Sequence, residues 1–194
     1  MSWTIPNILT LLRIILIPVL VVVFYIPGQW SYQISAAIFG LASLTDLLDG
    51  YLARRLNQSS AFGAFLDPVA DKLMVAVALV LLVQDNPSPL FAVPAAIIIG
   101  REIAISALRE WMSEIGARTK VAVSIVGKLK TTIQMVAILL LLFKVPLAGF
   151  PTHTVGLVLL YIAAVLTLWS MVVYMNAAWP LLSGKETDLP EDGG

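Results

Sequence analysis

The sequence lacks cysteine entirely and contains one histidine among its 194 residues. Without cysteine, disulfides and thiolate metal sites are excluded. His153 has no second imidazole to help it bind a metal, and we interpret it as a loop or interface residue. Any bound metal would have to be held by oxygen, which indicates a hard cation such as Mg²⁺ or Mn²⁺.

Charged residues are also scarce, since they make up 12% of the chain while 59% of it is apolar. Soluble proteins carry about 25% charged residues. The composition therefore predicts an integral membrane protein surrounded by lipid. The formal net charge is zero, and no cluster of like charges lies outside the lipid-facing pattern. We therefore expect no nucleic-acid partner.

Apolar stretches recur six times, each near the length of about 20 residues that a transmembrane helix needs. They cover residues 8–26, 34–56, 67–83, 90–112, 125–143 and 155–175. The pattern predicts an all-α integral membrane protein with six transmembrane helices, preceded by a short interfacial segment at residues 2–7. We expect one membrane domain over residues 1–184 and a polar, acidic, disordered tail over residues 185–194.

The basic residues predict the orientation of these helices, because positive side chains concentrate on the cytoplasmic side of a membrane. With the N-terminus inside, all of the 12 Lys and Arg residues except Lys144 fall in the cytoplasmic half or its loops. Both termini are therefore expected in the cytoplasm. The inner ends of the second and third helices would then face the cytoplasm as well.

Four aspartates lie at those inner ends, namely Asp46, Asp49, Asp67 and Asp71. On helices, the first two are spaced i, i+3 and the last two i, i+4, so each pair shares one face. A charged group at membrane depth costs at least ~2.5 kcal/mol, and divalent cations would offset that cost. The four carboxylates offer enough oxygen ligands for one or two such ions.

Small residues accompany the aspartates at Gly50, Ala53 and Gly63. Bare backbone beside a metal site suggests that a large flat or phosphorylated group comes close. The alternative is that the small residues only allow close helix packing and that the aspartates cap helices. Asp67 followed by Pro68 has the pattern of an N-cap with proline at the first helical position, so Asp67 could be both cap and ligand.

These residues form one longer pattern, Asp46-x2-Asp49-Gly50-x2-Ala53-Arg54-x8-Gly63-x3-Asp67-x3-Asp71. It resembles, in every position, the signature of the CDP-alcohol phosphotransferases. The resemblance implies a six-helix membrane enzyme, usually a homodimer, that moves a phosphatidyl or similar group from a CDP-linked donor to an alcohol and releases CMP. No Ser, Cys or His nucleophile is indicated, so we expect direct attack by the alcohol.

The resemblance also implies a role for each position of the pattern. Two divalent ions, Mg²⁺ or Mn²⁺, would be bound by Asp46, Asp49, Asp67 and Asp71. Asp71 would in addition be the general base that takes the alcohol's proton. The CDP-linked donor would be bound by Asp46, Gly50, Ala53, Arg54 and Gly63.

Further basic residues concern the acceptor alcohol. Arg101 and Arg109 lie on the fourth predicted helix, and Lys128 and Lys130 lie at the start of the fifth. These cations could balance the aspartates or bind a second anion, such as a phosphate on the acceptor. For the two lysines, an anchor at the inner end of a helix is an equally good interpretation.

A broader resemblance favours the phosphate interpretation. Residues 5–13, 62–72, 101–111 and 127–131 are similar to the bacterial members of the family that join CDP-diacylglycerol and glycerol 3-phosphate. It implies that the four cations bind the acceptor's phosphate, and that the protein lies in the bacterial cytoplasmic membrane with its active site facing the cytoplasm. A second polar patch of Asn7, Thr10 and Arg13 would support the entrance for donor or acceptor.

Three alternatives stay open at this point. Within the family, the acceptor could instead be serine, inositol phosphate or phosphatidylglycerol. A membrane prenyltransferase also uses Asp-rich helices and Mg²⁺, but with other spacing and with release of pyrophosphate. A cation transporter would place its carboxylates near mid-membrane with access from both sides, whereas these cluster at the inner helix ends.

Overall fold

A computed structural model describes residues 4–56, 61–115, 125–146 and 149–182. Within these ranges, only the backbone is described for residues 5–6, 47, 49–56, 61–62, 64, 125–128 and 180–182. The described residues form six α-helices, as the apolar pattern predicted. They are α1 (Ile5–Tyr25), α2 (Ser31–Leu56), α3 (Ala61–Asp85), α4 (Pro89–Glu114), α5 (Ile125–Phe143) and α6 (Thr152–Leu182).

Proline marks both the beginnings and the interiors of these helices. α1 and α4 each have a proline in the first turn, where its missing N–H breaks no helical hydrogen bond. Pro18, Pro68 and Pro94 lie inside α1, α3 and α4. Proline is tolerated inside membrane helices because neighbouring groups can satisfy the freed carbonyl.

The N-cap hypothesis for Asp67 is wrong. α3 begins at Ala61, so Asp67 and Pro68 lie in the second turn of a continuous helix. The Asp67 carboxylate therefore does not cap the backbone N–H groups at the N-terminus of α3. Helix α1 likewise begins at Ile5, inside the segment of residues 2–7 that was predicted to lie at the interface. Residues 2 and 3 of that segment lie outside the described residues.

The helices pack around one apolar core. α1 packs on α2 and α3, α2 also on α5, α4 on α3 and α6, and α5 on α6. Among the large core side chains that are almost fully buried are Leu20, Phe39, Leu79, Ile98, Ile138 and Leu160. Gly156 allows α6 to approach α5 closely, since a Cβ there would lie 2.9 Å from Leu141 Cγ.

Large apolar side chains also cover the outside of the bundle. Ile15, Val22, Val165 and Trp169 are each at least 59% exposed, as lipid-facing residues would be. Three of the described helices contain segments long and apolar enough to cross a membrane, at Asn7–Tyr25, Pro89–Glu114 and Thr152–Trp179. The protein is therefore an all-α, multi-pass membrane protein. The six crossings and the cytoplasmic position of both termini stay predictions.

Candidate active site

A polar stripe runs along the otherwise apolar helix α1. Asn7, Thr10 and Arg13 lie at i, i+3 and i+6, so their side chains share one face. All three are buried, with Thr10 fully inaccessible and Arg13 only 1% exposed. Buried polar groups need partners, because leaving them unsatisfied in an apolar interior is costly. The stripe therefore indicates that polar groups of other helices face α1.

Two of the signature aspartates are those partners. Arg13 Nη1 lies 2.7 Å from Asp46 Oδ1 on α2, an ion pair whose arginine is buried and whose carboxylate is partly open. The Thr10 hydroxyl donates a hydrogen bond to Asp67 Oδ1 on α3. α1 thereby ties the aspartates of two different helices to one place.

Asp71 completes the group that we call the aspartate cluster, consisting of Asp46, Asp67 and Asp71. It lies one helical turn after Asp67, is partly buried, and interacts electrostatically with Asp46 and Arg13. Gly63 is buried one turn before Asp67 on the same helix. The sequence-predicted carboxylates of α2 and α3 are thus brought together.

The described part of the cluster is incomplete as a metal centre. Among the described side chains, no group of three or more His, Asp or Glu residues is arranged to hold a metal ion. The side chains of Asp49, Gly50, Ala53 and Arg54 lie outside the described ones. The metal and donor roles assigned to this pattern therefore stay predictions.

A second charged group lies on the neighbouring helices. Glu102 Oε1 on α4 accepts from Arg101 Nη1 at 2.8 Å and from Lys130 Nζ of α5 at 3.0 Å. Arg101 and Lys130 are buried, 8% and 4% exposed, while Glu102 is partly open. The two cations thus face the carboxylate of Glu102 instead of balancing the aspartates, a task that Arg13 performs.

Helix α6 supports the arginines of this group. Arg101 Nη2 donates to Ser170 Oγ at 2.9 Å, and Arg109 Nη2 donates to the Tyr174 hydroxyl at 2.6 Å. We call Arg101, Glu102, Arg109 and Lys130 the basic cluster. The sequence-predicted cations Arg101, Arg109 and Lys130 belong to it, and Lys128 lies outside the described side chains.

The two clusters adjoin across α3 and α4. Lys72, next to Asp71, donates a hydrogen bond to Ser106, and the Ser106 hydroxyl bonds back to the Glu102 carbonyl oxygen. Asp71 also interacts electrostatically with Glu102 and Lys72. One polar region therefore combines carboxylates on α2 and α3 with cations on α4 and α5.

Sequence reasoning missed Lys72, Ser170 and Tyr174 as parts of this region. A signal for the last two was available, because Thr167, Ser170 and Tyr174 are spaced i, i+3 and i+7 in an apolar run and so share one face of α6. Lys72 follows an aspartate of the pattern directly, and its neighbours could be known only from the packing of α3 on α4.

The fold and the site together define a helical membrane protein in which carboxylates and cations line one polar region among the helices. The family model of CDP-alcohol phosphatidyltransferase matches residues 3–169, so the chain belongs to this enzyme family. The match covers the aspartate and basic clusters alike. It argues against the prenyltransferase and transporter alternatives.

Relatives of known name are similar over almost their whole length. A protein of Salmonella choleraesuis (strain SC-B67) is 56% identical over 178 residues, which cover 92% of this chain and 96% of the relative. A Pseudomonas fluorescens protein is 53% identical over 194 residues, covering 98% and 99%. Both are named CDP-diacylglycerol–glycerol-3-phosphate 3-phosphatidyltransferase.

Proposed function

We propose that this enzyme transfers the phosphatidyl group of CDP-diacylglycerol to glycerol 3-phosphate, giving phosphatidylglycerol phosphate and CMP. The observation that carries the proposal is the basic cluster beside Asp71. Its three cations and one carboxylate leave a net charge of +2, which matches the nearly dianionic phosphate monoester of the acceptor near pH 7. The printed name of the relatives agrees with this acceptor.

The donor set of the aspartate cluster fits hard divalent cations, because it consists of carboxylate oxygens. Asp46, Asp67 and Asp71, together with Asp49, would hold two Mg²⁺ or Mn²⁺ ions. When bound, such ions neutralise charge on the donor's diphosphate and on the departing CMP. The small residues Gly50, Ala53 and Gly63 of the same pattern would admit the cytidine diphosphate, with Asp46 and Arg54 beside it.

The reaction then needs one displacement at phosphorus. The 1-hydroxyl oxygen of glycerol 3-phosphate forms a bond to the lipid-bearing phosphorus, and Asp71 takes the hydroxyl proton. The bond from that phosphorus to the bridging oxygen breaks, and CMP leaves with that oxygen. Arg101, Arg109 and Lys130 hold the acceptor's phosphate, with Lys128 as a further candidate, so that its hydroxyl is presented to Asp71.

Arg13, Thr10 and Asn7 act on the other side of the site. Arg13 fixes Asp46 through the ion pair described above, and Thr10 fixes Asp67 through its hydrogen bond, while Asn7 lies one turn before Thr10 on the same face of α1. A buried guanidinium in this place restrains the carboxylates in the cluster and lowers the cost of keeping like charges close together. This supports the interpretation of the α1 stripe as a patch that serves the site.

The membrane arrangement follows from the same chemistry. Donor and product are lipids, whereas CMP and glycerol 3-phosphate are water-soluble, so the polar region must open to an aqueous side as well as to lipid. The distribution of Lys and Arg favours the cytoplasmic side of a bacterial inner membrane. We propose that each chain forms one catalytic membrane domain over residues 1–184, followed by an acidic tail over residues 185–194. We also propose that two such chains form a homodimer.

The acceptor can be tested directly. Purified protein would receive labelled CDP-diacylglycerol, Mg²⁺ and one alcohol at a time, namely glycerol 3-phosphate, serine, inositol phosphate or phosphatidylglycerol. We expect release of CMP with glycerol 3-phosphate and little above background with the others. Absence of CMP with glycerol 3-phosphate, or faster release with another alcohol, would reject the proposed acceptor.

Lys130→Met is expected to raise the KM for glycerol 3-phosphate by about 10- to 100-fold, because it removes one charge-assisted hydrogen bond to the phosphate. The KM for CDP-diacylglycerol should stay near that of the unaltered protein. Steady-state kinetics with each substrate varied in turn measures both values.

The matched control is Lys144→Met. Lys144 also pairs with a carboxylate, that of Asp85, and its Nζ lies 3.9 Å from the centre of the Tyr32 ring. This group lies at the C-terminal end of α3, where Asp85 follows Asp71 by 14 residues. The control should therefore leave both KM values unchanged, and equal effects of the two substitutions would argue against a phosphate site at Lys130.

A further inference from the structure

Thr167, Ser170 and Tyr174 share one face of α6, and the last two contact arginines of α4. The Ser170 hydroxyl donates to the Thr167 carbonyl oxygen at 3.0 Å and accepts from Arg101, so its orientation is set from both sides. Ser170 is buried, and the Arg101 bound to it is buried as well. One turn further on, Tyr174 continues this face toward Arg109.

Tyr174 contacts both arginines of the basic cluster. Its hydroxyl accepts the hydrogen bond from Arg109 at 2.6 Å, and the Arg109 Cζ lies 4.9 Å from the centre of its ring. The Cζ of Arg101 lies 5.8 Å from the same ring centre. Both distances are within the range of about 6 Å in which a guanidinium is attracted by an aromatic ring.

The contacts with Tyr174 matter more for the orientation of Arg109 than for that of Arg101. Arg101 is buried and bonded to Glu102 and Ser170, whereas Arg109 is an exposed residue. An arginine side chain loses rotamer entropy when a ligand fixes it in one orientation. A tyrosine that already restrains it reduces this loss at the moment of binding.

We infer that Tyr174 is a positioning residue that holds Arg109, and through its ring also Arg101, in the orientation that binds the anionic acceptor. The inference rests on the proposed function, because it assigns the ligand of these arginines as the phosphate of glycerol 3-phosphate. The hydroxyl and the ring of Tyr174 make separable contributions. The hydroxyl sets the orientation of the Arg109 guanidinium through its hydrogen bond, and the ring face attracts both guanidinium groups.

The test uses Tyr174→Phe, which keeps the ring, and Tyr174→Leu, which removes it. We expect the KM for glycerol 3-phosphate to rise about tenfold in the first variant and further in the second. Values of kcat and of the KM for CDP-diacylglycerol should stay near those of the unaltered protein. Tyr161→Phe is the matched control, since Tyr161 lies 13 residues earlier on α6, about 20 Å along the helix axis, and should change nothing.

A double-mutant cycle shows whether Tyr174 acts through Arg109. In an Arg109→Ala background, Tyr174→Phe should raise the acceptor KM much less than it does in the unaltered protein. A full tenfold rise in that background, an unchanged KM in Tyr174→Phe alone, or a parallel loss of donor affinity and thermal stability would overturn the inference. Failure of the unaltered protein to release CMP with glycerol 3-phosphate would overturn the proposed function, and the inference with it.

Discussion

Asp71→Asn is expected to lower the rate of phosphatidyl transfer by about 10³-fold, the range in which loss of a general base usually falls. Asparagine keeps the size of the side chain but cannot take the proton of the acceptor's hydroxyl. The surroundings of Asp71 favour this role, since it interacts electrostatically both with Asp46 and with Glu102 of the basic cluster that would hold the acceptor. Binding of CDP-diacylglycerol should be largely retained.

Single-turnover release of CMP, measured beside equilibrium binding of the donor, separates the two effects. Asp85→Asn is the control on the same helix, 14 residues later and about 21 Å along the axis. Asp85 pairs with Lys144 at the other end of α3 and should leave turnover intact. An Asp71→Asn protein with near-normal turnover would exclude this carboxylate as the base.

Removal of divalent cations is expected to stop turnover completely. The aspartate cluster consists of partly buried carboxylates held near one another, namely those of Asp46, Asp67 and Asp71. Among the described residues, the one ion pair to this cluster is that of Arg13 with Asp46. A diphosphate donor would add further negative charge to the same place. Without bound cations, donor binding should therefore be opposed by repulsion.

Chelation followed by addition of Mg²⁺ or Mn²⁺ tests this expectation. Turnover should be lost and then restored, while Na⁺ or K⁺ at the same ionic strength should restore nothing. The melting temperature should rise with Mg²⁺ concentration, because an ion that binds only the folded protein stabilises it. Full turnover after exhaustive chelation would contradict a metal centre at the aspartates.

The number and order of the helices could be predicted from the sequence, because long apolar runs broken by turn residues leave few alternatives in lipid. The start of α3 could not. Asp67-Pro68 has the pattern of an N-cap followed by proline at the first helical position, yet the helix begins six residues earlier, at Ala61. Local capping preference is worth only about 1 kcal/mol, and packing of α3 against α1 and α2 can exceed it.

The site shows the same division between local and long-range information. Spacing alone placed Asp67 and Asp71 on one face of α3. The i, i+3, i+6 spacing of Asn7, Thr10 and Arg13 likewise gives them one face of α1. It could not show that these two faces meet, since Thr10 and Asp67 are 57 residues apart in the chain. That contact depends on how α1 packs against α3.

The basic cluster illustrates a further limit. The sequence placed Arg101 inside the fourth apolar stretch, but it did not predict the counter-ion of Arg101. Glu102 is its direct neighbour in the chain, and adjacent residues on a helix point in different directions. The structure shows the two side chains bonded, with Lys130 on the same oxygen. The partners on α6 are 69 and 65 residues from Arg101 and Arg109, beyond any local pattern.

The most direct test of the proposed reaction is to measure both of its products together. Purified protein in vesicles that contain CDP-diacylglycerol would be incubated with Mg²⁺ and glycerol 3-phosphate, and CMP and phosphatidylglycerol phosphate would be quantified in the same sample. We predict equimolar amounts of the two, both dependent on glycerol 3-phosphate. Release of CMP without phosphatidylglycerol phosphate, or of pyrophosphate in place of CMP, would contradict the proposed reaction.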